Sequence, residues 1–346
     1  MAALLRPLRI FLSTNHCAAT CRCSSFVSRM RLVNRLKEDD ELCVAALQDG
    51  VFFLFHRLSP LLHRGNNGTF RPIPLTCSDL QSVLQRFGSD GSLLKASVLI
   101  GCSEQNQAQF CLDVGELDQA CVAEACRGTF MDLRKAFFLL PAAESPLVAK
   151  GQALLRWHQT NRFCSATGQP TVRNQAGSQR VCSSNGSIIY YPKMSPVVIV
   201  LVSDGTRCLL GRQASFPPGL YSALAGFCDM GETLEEALCR EVAEEVSLEV
   251  QSISYSSSQH WPFPHSSFML GCHATVSPAH IQLDVDRSEL EDARWFTLEE
   301  ITCALQVKTP PRRGDPPTVW LPPQQAVANY LITEWWDRQR RSENSA

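Results

Sequence analysis

Residues 226–248, with the sequence GFCDMGETLEEALCREVAEEVSL, are the stretch from which the rest of the chain can be interpreted. Thr233 and Glu236 have the spacing of a capping box, which predicts a helix that begins near Leu234. Steps of three and four residues along that helix keep to one face. This face carries, in chain order, Leu234, Ala237, Leu238, Glu241, Glu244 and Glu245. Carboxylates therefore continue a stripe that the first two turns give to apolar side chains.

Three carboxylates on one helix face repel one another unless a cation neutralises them. A hard divalent ion with oxygen ligands, Mg²⁺ or Mn²⁺, suits such a cluster. The alternative is a solvated surface cluster paired with Arg240, which is the commoner role of acidic helix runs. The spacing by itself leaves both interpretations open.

The same stretch resembles the Nudix box, the pattern G-x5-E-x7-R-E-U-x-E-E-x-G-U, in which U is aliphatic. The positions that match in register are Gly226, Glu232, Arg240, Glu241, Val242, Glu244, Glu245 and Leu248. The departure is Ser247, which stands where the family has a glycine that ends the helix in a left-handed conformation. A serine there should cost roughly 1 kcal/mol or less. Because Ser247 touches no carboxylate, the resemblance still favours a metal site.

Composition limits the class of protein. A chain of 346 residues, 45% of them hydrophobic, can bury a sizeable core and predicts two domains. The formal charge of −2 argues against a constitutive binder of nucleic acid or of anionic membranes. No apolar run approaches the ~18 residues of a membrane span, so we expect a soluble protein without a membrane partner. The 16 cysteines are scattered and indicate free thiols in a reducing compartment.

Residues 1–37 have the composition of a mitochondrial transit peptide, which predicts a location in the mitochondrial matrix. Their basic residues are Arg6, Arg9, Arg22, Arg29, Arg31, Arg35 and Lys37. The first acidic residue is Glu38, and leucines near the start supply an apolar side. A secretory signal is the rival interpretation, but arginines interrupt its apolar core. A disordered basic tail is the other alternative.

Residues 38–146 indicate a smaller mixed α/β domain, with apolar strands at 51–55 and 97–101 and a helix at 129–140. We find no catalytic constellation in this domain. A Pro-containing hinge then leads into a linker helix and a hairpin, residues 147–192.

The hairpin is similar to the zinc ribbon of bacterial NADH pyrophosphatases, which is built from two C-x-x-C pairs. Cys164 and Cys182 occupy the first position of each pair, but Thr167 and Asn185 stand at the second positions. Neither is a normal zinc ligand, and two thiols cannot fill a tetrahedral structural site. We therefore expect the outline of the ribbon without zinc.

Residues 193–338 indicate the Nudix hydrolase domain. An apolar strand at 196–202 and a return strand at 208–211 flank an Asp-Gly turn. Strands before and after the helix predict an α/β/α sandwich on a mixed sheet. The expected architecture is therefore this sandwich, preceded by the smaller α/β domain and the degenerate ribbon.

Residues 258–266, SQHWPFPHS, resemble the S-Q-P-W-P-F-P-x-S segment of the Nudix subgroup that hydrolyses NADH, with His260 in place of the first proline. Prolines stiffen the segment, and Trp261 and Phe263 offer rigid surfaces to a planar ring. The alternative is that both aromatics pack into the core. The substrate-contact candidates are Tyr191, Gln259, Trp261, Phe263, Ser266 and Glu289.

Glu289 becomes a candidate because residues 289–296 are similar to the family segment E-x-x-x-A-x-W-F, whose first acid completes the active site; Glu291 is the less favoured alternative. The resemblance implies two or three Mg²⁺ or Mn²⁺ ions. Their expected ligands are Glu241 and Glu245, with Glu244, Glu289 and the backbone carbonyl of Ala225 assisting. It also implies that Glu244 or Glu245 is the general base and that Arg240 orients the carboxylates.

The resemblance implies metal-dependent hydrolysis of the pyrophosphate bond of NADH, NADPH or both. The products would be reduced nicotinamide mononucleotide plus AMP or 2′,5′-ADP. One alternative is a catalytically inactive Nudix domain that binds dinucleotides as a sensor. Another is a hydrolase of NAD-capped RNA, which is the only nucleic acid we would expect as a partner. Homodimerisation is implied by the resemblance alone.

Overall fold

The structure of the chain is a computed structural model that describes residues 26–65, 68–89, 91–307 and 318–343. Residues 1–25 of the predicted transit peptide lie outside these ranges. Among the described helices, none is both long and apolar enough to cross a membrane.

The N-terminal domain is built on one mixed sheet with helices around it. Its strands are β1 (Val51–His56), β2 (Ser59–Arg64), β3 (Phe70–Pro72), β4 (Leu75–Thr76), β5 (Val98–Cys102), β6 (Ala108–Asp113) and β7 (Thr129–Phe130). Its helices are α1 (Phe26–Glu38), α2 (Asp40–Ala46), α3 (Cys77–Arg86), α4 (Gln119–Ala125) and α5 (Leu133–Ala136), with a 3₁₀ helix at Gly91–Ala96. The strand order is β3-β2-β1-β6-β5, with β4 paired to β1 and β7 to β2. The β1–β6 pair is parallel.

Among the described residues, α1 at Phe26–Glu38 belongs to this domain, although the sequence predicts that the domain begins at Glu38. Val33 and Leu36 of α1 are buried in the domain core. Arg31 and Arg35 lie on the exposed side of the same helix. A basic amphipathic helix and a transit peptide have the same composition of arginines and apolar residues. The sequence therefore predicted a domain boundary after this helix.

The helix expected at residues 129–140 is wrong in extent. Thr129 pairs with Leu62 of the neighbouring strand, so the segment starts as β7. Asp132 then caps α5 by accepting hydrogen bonds from the backbone N–H groups of Arg134 and Lys135. The N-cap starts a helix two residues after a strand, a change that helical periodicity did not reveal.

The middle of the chain contains the linker helix and the ribbon. These elements are α6 (Ser145–Thr160), β8 (Thr171–Arg173), β9 (Arg180–Cys182) and β10 (Asn185–Tyr190). The three strands form a separate antiparallel sheet.

The C-terminal domain is the expected α/β/α sandwich. Its strands are β11 (Ser195–Ser203), β12 (Cys208–Arg212), β13 (Leu224–Phe227), β14 (Val250–Trp261), β15 (Ser267–Val276) and β16 (Asp292–Phe296). Its helices are α7 (Leu234–Val246), α8 (Leu298–Gln306) and α9 (Val327–Glu343). The strand order is β14-β15-β11-β12-β16, with β13 paired to β11 beside β12.

Successive residues of β11 point to opposite faces of the sheet, and each face is covered by its own layer of helices. Val198 and Val200 belong to the core formed with α7, whereas Ile199 and Leu201 belong to the core formed with α8 and α9. An uninterrupted apolar strand is typical of a sheet covered on both faces. The parallel β11–β15 pair makes the sheet mixed.

Candidate metal centre and substrate cleft

Helix α7 positions the carboxylates, and both of its ends are fixed by local hydrogen bonds. Thr233 and Glu236 form the predicted capping box: the Thr233 hydroxyl accepts from the Glu236 N–H at 3.2 Å, and the Glu236 carboxylate accepts from the Thr233 N–H at 2.8 Å. Ser247 ends the helix with φ of 57° and ψ of 38°, the left-handed conformation expected at this position.

Three carboxylates converge beside this helix. Glu241, Glu245 and Glu289 each place one oxygen within 4.8 Å of the others. Glu241 and Glu245 are 8% and 3% exposed, and Oε2 of Glu245 has no hydrogen-bond partner. Buried oxygen donors with an unsatisfied lone pair fit a hard divalent cation. The donor set therefore supports the predicted metal site.

Glu289 reaches this cluster because its segment is attached to the C-terminal end of α7. The N–H of Asp286 donates to the carbonyl of Glu245 at 3.0 Å, and the N–H of Asp284 donates to that of Val246 at 3.3 Å. The alternative acid, Glu291, instead pairs with Arg212. Geometry thus favours Glu289 over Glu291 as the third acid.

Burial and neighbouring carboxylates raise the proton affinity of Glu241 and Glu245. Burial, with smaller contributions from Glu241, Glu289 and Glu244, raises the pKa of Glu245 to about 8. Burial also raises the pKa of Glu241, although Arg240 opposes the shift. A bound divalent cation would compete with these protons, so its binding would release them.

Glu244 has a different environment from the other two glutamates of the helix. Its side chain is 53% exposed and pairs with Nη1 of Arg240 at 2.9 Å. It is not part of the three-carboxylate cluster.

Arg240 connects the carboxylates and the loop before the helix. Its Nε and Nη2 donate to both oxygens of Glu232, at 2.6 and 2.9 Å, while Nη1 donates to Glu241 and Glu244, both at 2.9 Å. Its Nη2 also donates to the carbonyl of Phe227 at 2.8 Å. The hydrogen bonds from Arg240, and next the one from the Asp229 N–H, lower the pKa of Glu232 to about 2. This bidentate geometry orients carboxylates, as expected for Arg240.

Gly226 lies against the cluster without space for a side chain. A Cβ atom there would stand 1.8–2.1 Å from the carboxylate of Glu241. The glycine of the motif is therefore required by close approach.

Of the three clustered carboxylates, Glu245 lines a cleft of about 1520 Å³. Glu245, Ala225, Gln259, Trp261 and Phe263 all line it. The sheet register places Ala225 and Trp261 far apart along the cleft. Ala225 of β13 pairs with Ile199 of β11. Trp261 of β14 is three strands away from β13 and lies level with Ser195 of β11. At about 3.3 Å per residue and 4.8 Å per strand, these positions lie roughly 20 Å apart. The cleft can thus accept a ring and a reacting diphosphate at separate points.

The remaining substrate-contact candidates have structural partners. Gln259 lines the cleft, but its Nε2 donates to the carbonyl of Gln325 at 2.6 Å and its Oε1 accepts from the N–H of Val327 at 2.9 Å. Gln259 therefore fixes the start of α9. Oγ of Ser266 is 2.7 Å from Nε2 of His260. Among the described residues that line the cleft, neither Ser266 nor the exposed Tyr191 appears.

Residues of the N-terminal domain also line this cleft, which the sequence did not indicate. Arg134, Phe138 and Leu139 contribute to its wall. Their only sequence signal is an aromatic pair after a short amphipathic run, which any core helix can carry. The C-terminal segment from Trp320 to Asn329 lines it as well.

The ribbon is closed by hydrogen bonds between protein side chains. The hydroxyl of Thr167 lies 3.2 Å from Sγ of Cys182, and the hydroxyl of Tyr190 lies 3.1 Å from Sγ of Cys164. The Tyr190 hydroxyl also accepts from the N–H of Ser165 at 3.1 Å. With only two thiols, these residues do not fit a structural zinc site.

Comparison with known families divides the chain into three matching regions. Residues 49–157 match the NADH pyrophosphatase-like rudimentary NUDIX domain, residues 159–190 the NADH pyrophosphatase zinc ribbon domain, and residues 192–316 the NUDIX domain.

The chain is similar to several mammalian proteins. The chain is 48% identical over 345 residues to NAD(P)H pyrophosphatase NUDT13, mitochondrial, of Homo sapiens, which covers 94% of this chain and 97% of that protein. Identity to the Mus musculus protein of the same name is 49%, covering 93% and 94%. NAD-capped RNA hydrolase NUDT12 of Homo sapiens is 42% identical over 209 residues, covering 58% of this chain and 43% of that protein.

Proposed function

Because this chain belongs to the Nudix hydrolases of the NADH pyrophosphatase group, we propose that it hydrolyses the pyrophosphate bond of NADH and NADPH. The products are reduced nicotinamide mononucleotide and either AMP or 2′,5′-ADP. The relatives that are 48–49% identical are mitochondrial proteins, in agreement with the location predicted from residues 1–37. We also propose that the chain is imported into the mitochondrial matrix.

One observation supports this function above the others: Glu245, a member of the three-carboxylate cluster, lines the same cleft as the aromatic pair of Trp261 and Phe263. Nudix hydrolases depend on divalent metals, and we assign Mg²⁺ or Mn²⁺ to these three carboxylates. Such an ion neutralises diphosphate charge and lowers the pKa of water. The aromatic surfaces hold a planar ring of the substrate.

The surrounding residues divide the remaining tasks. Arg240 holds Glu241 and Glu244 in place while Glu232 fixes the guanidinium. Glu245 is enclosed within the three-carboxylate cluster, whereas Glu244 stands exposed beside it. We therefore assign the metal-ligand role to Glu245 and the acceptance of the proton from the attacking water to Glu244. The backbone carbonyl of Ala225 borders the same cleft and stays a further ligand candidate.

The test is hydrolysis of NADH, NADPH, NAD⁺ and ADP-ribose with Mg²⁺ or Mn²⁺, with separation of the nucleotide products. Glu245→Gln should abolish both activity and metal binding measured by calorimetry. Glu244→Gln should lower kcat by about 100-fold or more while metal still binds, because general-base catalysis contributes about that much. The matched control is Glu235→Gln, an exposed glutamate on the same helix, which should leave both unchanged. If the wild-type protein binds NADH but cleaves none of the four compounds, the sensor interpretation replaces this one.

Hydrolysis of NAD-capped RNA is the second candidate, since relatives with that name match 58% of the chain. The relatives that span nearly all of the chain are named NAD(P)H pyrophosphatases, which favours the free dinucleotide. Capped RNA and NADH in direct competition would decide the matter through the ratio of their kcat/KM values. We also propose, from the family resemblance, that the protein is a homodimer, which light scattering would reveal as twice the chain mass.

A further inference from the structure

The ribbon contains two cysteines that the proposed catalytic mechanism does not use. Cys164 and Cys182 are each 2% exposed. Cys164 starts a turn in which its carbonyl accepts a hydrogen bond from the N–H of Gly168 at 2.8 Å, and Cys182 ends β9. The residues next to them, 165–170 and 183–187, are all exposed. The two thiols therefore lie directly beneath the surface of the ribbon, where a small solute can reach them.

Polar contacts gather the two thiols into one cluster. Sγ of Cys182 lies 3.2 Å from the hydroxyl of Thr167 and 3.3 Å from that of Ser184. Thr167 belongs to the turn that Cys164 starts, so this contact brings Cys182 to the same turn. The thiols of Cys164 and Cys182 are also hydrogen-bond partners of each other. Their sulfurs are therefore close enough to react with one another.

The hydrogen bonds give the two sulfurs different chemical characters. Those from Ser184 and next from Thr167 lower the pKa of Cys182 to about 6, and the neighbouring thiol contributes a smaller effect of the same sign. Thr167 and Tyr190 lower the pKa of Cys164, whereas the thiol beside it raises that pKa. Cys182 is therefore the thiolate at neutral pH, and Cys164 is the thiol that donates to it. A thiolate with a second thiol beside it is the usual arrangement of a peroxide-sensitive cysteine.

We propose that Cys164 and Cys182 form a redox pair, which hydrogen peroxide oxidises to a disulfide that closes the ribbon covalently. The sulfur of Cys182 attacks one peroxide oxygen, the O–O bond breaks, and the hydroxide that leaves takes a proton from solvent to become water. The sulfur of Cys164 then attacks the resulting sulfenic acid and displaces a second water. Two thiols and one peroxide thus give one disulfide and two waters, and the sulfurs lose the two electrons that reduce the peroxide.

The disulfide stabilises the ribbon because it restricts the unfolded chain between its two ends. The ribbon is joined to α6 by two hydrogen bonds. The hydroxyl of Thr171 donates to the carbonyl of Asn161 at 2.6 Å, and Nε2 of His158 donates to the carbonyl of Gly177 at 2.9 Å. Oxidation therefore stabilises the attachment of the ribbon to the linker helix. This inference is independent of the proposed function.

The test treats the reduced full-length chain with hydrogen peroxide at pH 7 and maps its peptides without reductant. The wild type should lose two hydrogen atoms and yield a peptide pair that joins Cys164 to Cys182. Cys164→Ser should stop at the sulfenic acid of Cys182, which dimedone traps. Cys182→Ser should give a dimedone adduct at Cys164 about tenfold more slowly or not at all, because the thiolate is the nucleophile.

Cys121→Ser is the matched control. Cys121 is exposed, but its hydrogen bond with Asp118 raises its pKa. This variant should form the disulfide at the wild-type rate. In the wild type, dimedone should label Cys121 about tenfold more slowly than it labels Cys182 in Cys164→Ser. Equal labelling of the two cysteines would overturn the proposal, because exposure alone would then govern the reaction.

Thermal unfolding provides a second readout. Peroxide should raise the Tm of the wild type, dithiothreitol should reverse the rise, and Cys164→Ser should show neither change. A disulfide that joins either cysteine to a different one would overturn the proposal. Stoichiometric zinc on the reduced wild type in native mass spectrometry would overturn it as well. If a serine variant does not fold, the peptide map of the wild type still decides whether the pair forms.

Discussion

At Gly226 the backbone lies against the carboxylate of Glu241, and this close contact gives the first prediction. A Cβ atom would stand 1.8–2.1 Å from Glu241, so Gly226→Ala must displace either β13 or the carboxylate. A shift of about 1 Å at a reacting centre can cost roughly 100-fold in rate, and we expect a loss of that size in kcat for NADH. The measurement is steady-state hydrolysis together with thermal unfolding.

Gly186→Ala is the control for this substitution. Gly186 lies in the ribbon, and an added Cβ there would meet no atom within 4 Å. It should change neither kcat nor the unfolding temperature appreciably. Full activity in Gly226→Ala would show that Glu241 is free to move and would contradict the close-approach argument.

Ser247 gives the second prediction at this scale. Its φ of 57° is a conformation that glycine adopts without a steric penalty. Ser247→Gly should therefore raise the free energy of unfolding by up to about 1 kcal/mol and leave kcat unchanged. Urea unfolding measures the gain, and Ser247→Ala serves as the control that keeps the Cβ. Equal stability of the glycine and alanine variants would show that the left-handed residue carries no strain.

The composition of the three-carboxylate cluster shows what could be predicted for single residues. Helical spacing brought Glu241 and Glu245 together correctly, because residues four apart share a face. It placed Glu244 with them, whereas in the structure Glu244 pairs with Arg240 and Glu289 completes the cluster. The hydrogen bonds from residues 284 and 286 to the end of α7, which bring Glu289 close, are tertiary contacts that no local pattern encodes.

The linker helix α6 and the ribbon meet at His158, where we expect a pH-dependent stability. Nε2 of His158 donates to the carbonyl of Gly177 at 2.9 Å, and Nδ1 faces Nη1 of Arg180 at 3.0 Å. Burial, followed by the charge of Arg173, lowers the pKa of His158 to about 4. The unfolded chain takes up this proton near pH 6.5, and the folded chain does so only near pH 4. Stability should therefore fall as the pH falls through this window.

We expect a loss of about 2 kcal/mol from this histidine between pH 7 and pH 4.5. His158→Gln keeps a donor for Gly177 and should flatten that part of the pH dependence in urea unfolding followed by tryptophan fluorescence. His280→Gln, at an exposed histidine, is the control and should behave as the wild type. If the His158 and His280 variants lose stability equally on acidification, His158 does not titrate as described.

Helices and strands could be predicted wherever a local sequence signal determines where they begin and end. The capping box gave the start of α7 at Leu234, and the apolar run gave β11 almost to the residue. The prediction for residues 129–140 was wrong because this segment holds a two-residue strand and a four-residue helix. Both elements are too short to show the periodic pattern by which a strand or a helix is identified. Its strand exists only because β2 offers a pairing edge, and that edge is about 70 residues away in the sequence.

The two domains of the molecule join through an aromatic cluster, and the cleft lies where they meet. Phe137 and Phe138 from the N-terminal domain contact Trp261 and Phe263 from the C-terminal domain. Trp261 and Phe263 pack against a core cluster, as one interpretation expected, and they also line the cleft; their contact with a substrate ring stays a prediction. The contacting residues of the two domains lie more than a hundred positions apart in the sequence, so no local motif could have predicted this part of the cleft.

Phe137→Ala tests whether this contact links stability to substrate binding. Removing a buried phenylalanine should lower the free energy of unfolding by about 3–5 kcal/mol. The aromatic cluster that Phe137 forms with Trp261 and Phe263 should also loosen. We expect KM for NADH to rise by about threefold to tenfold and kcat to stay within about twofold. Contacts to a ring act on substrate binding and leave the carboxylate cluster unchanged. Phe130→Ala is the control, since this buried residue packs beside His56 within the N-terminal domain. It should lower stability without raising KM. Equal KM values in the two variants would mean that the N-terminal domain supports the fold but does not shape the cleft.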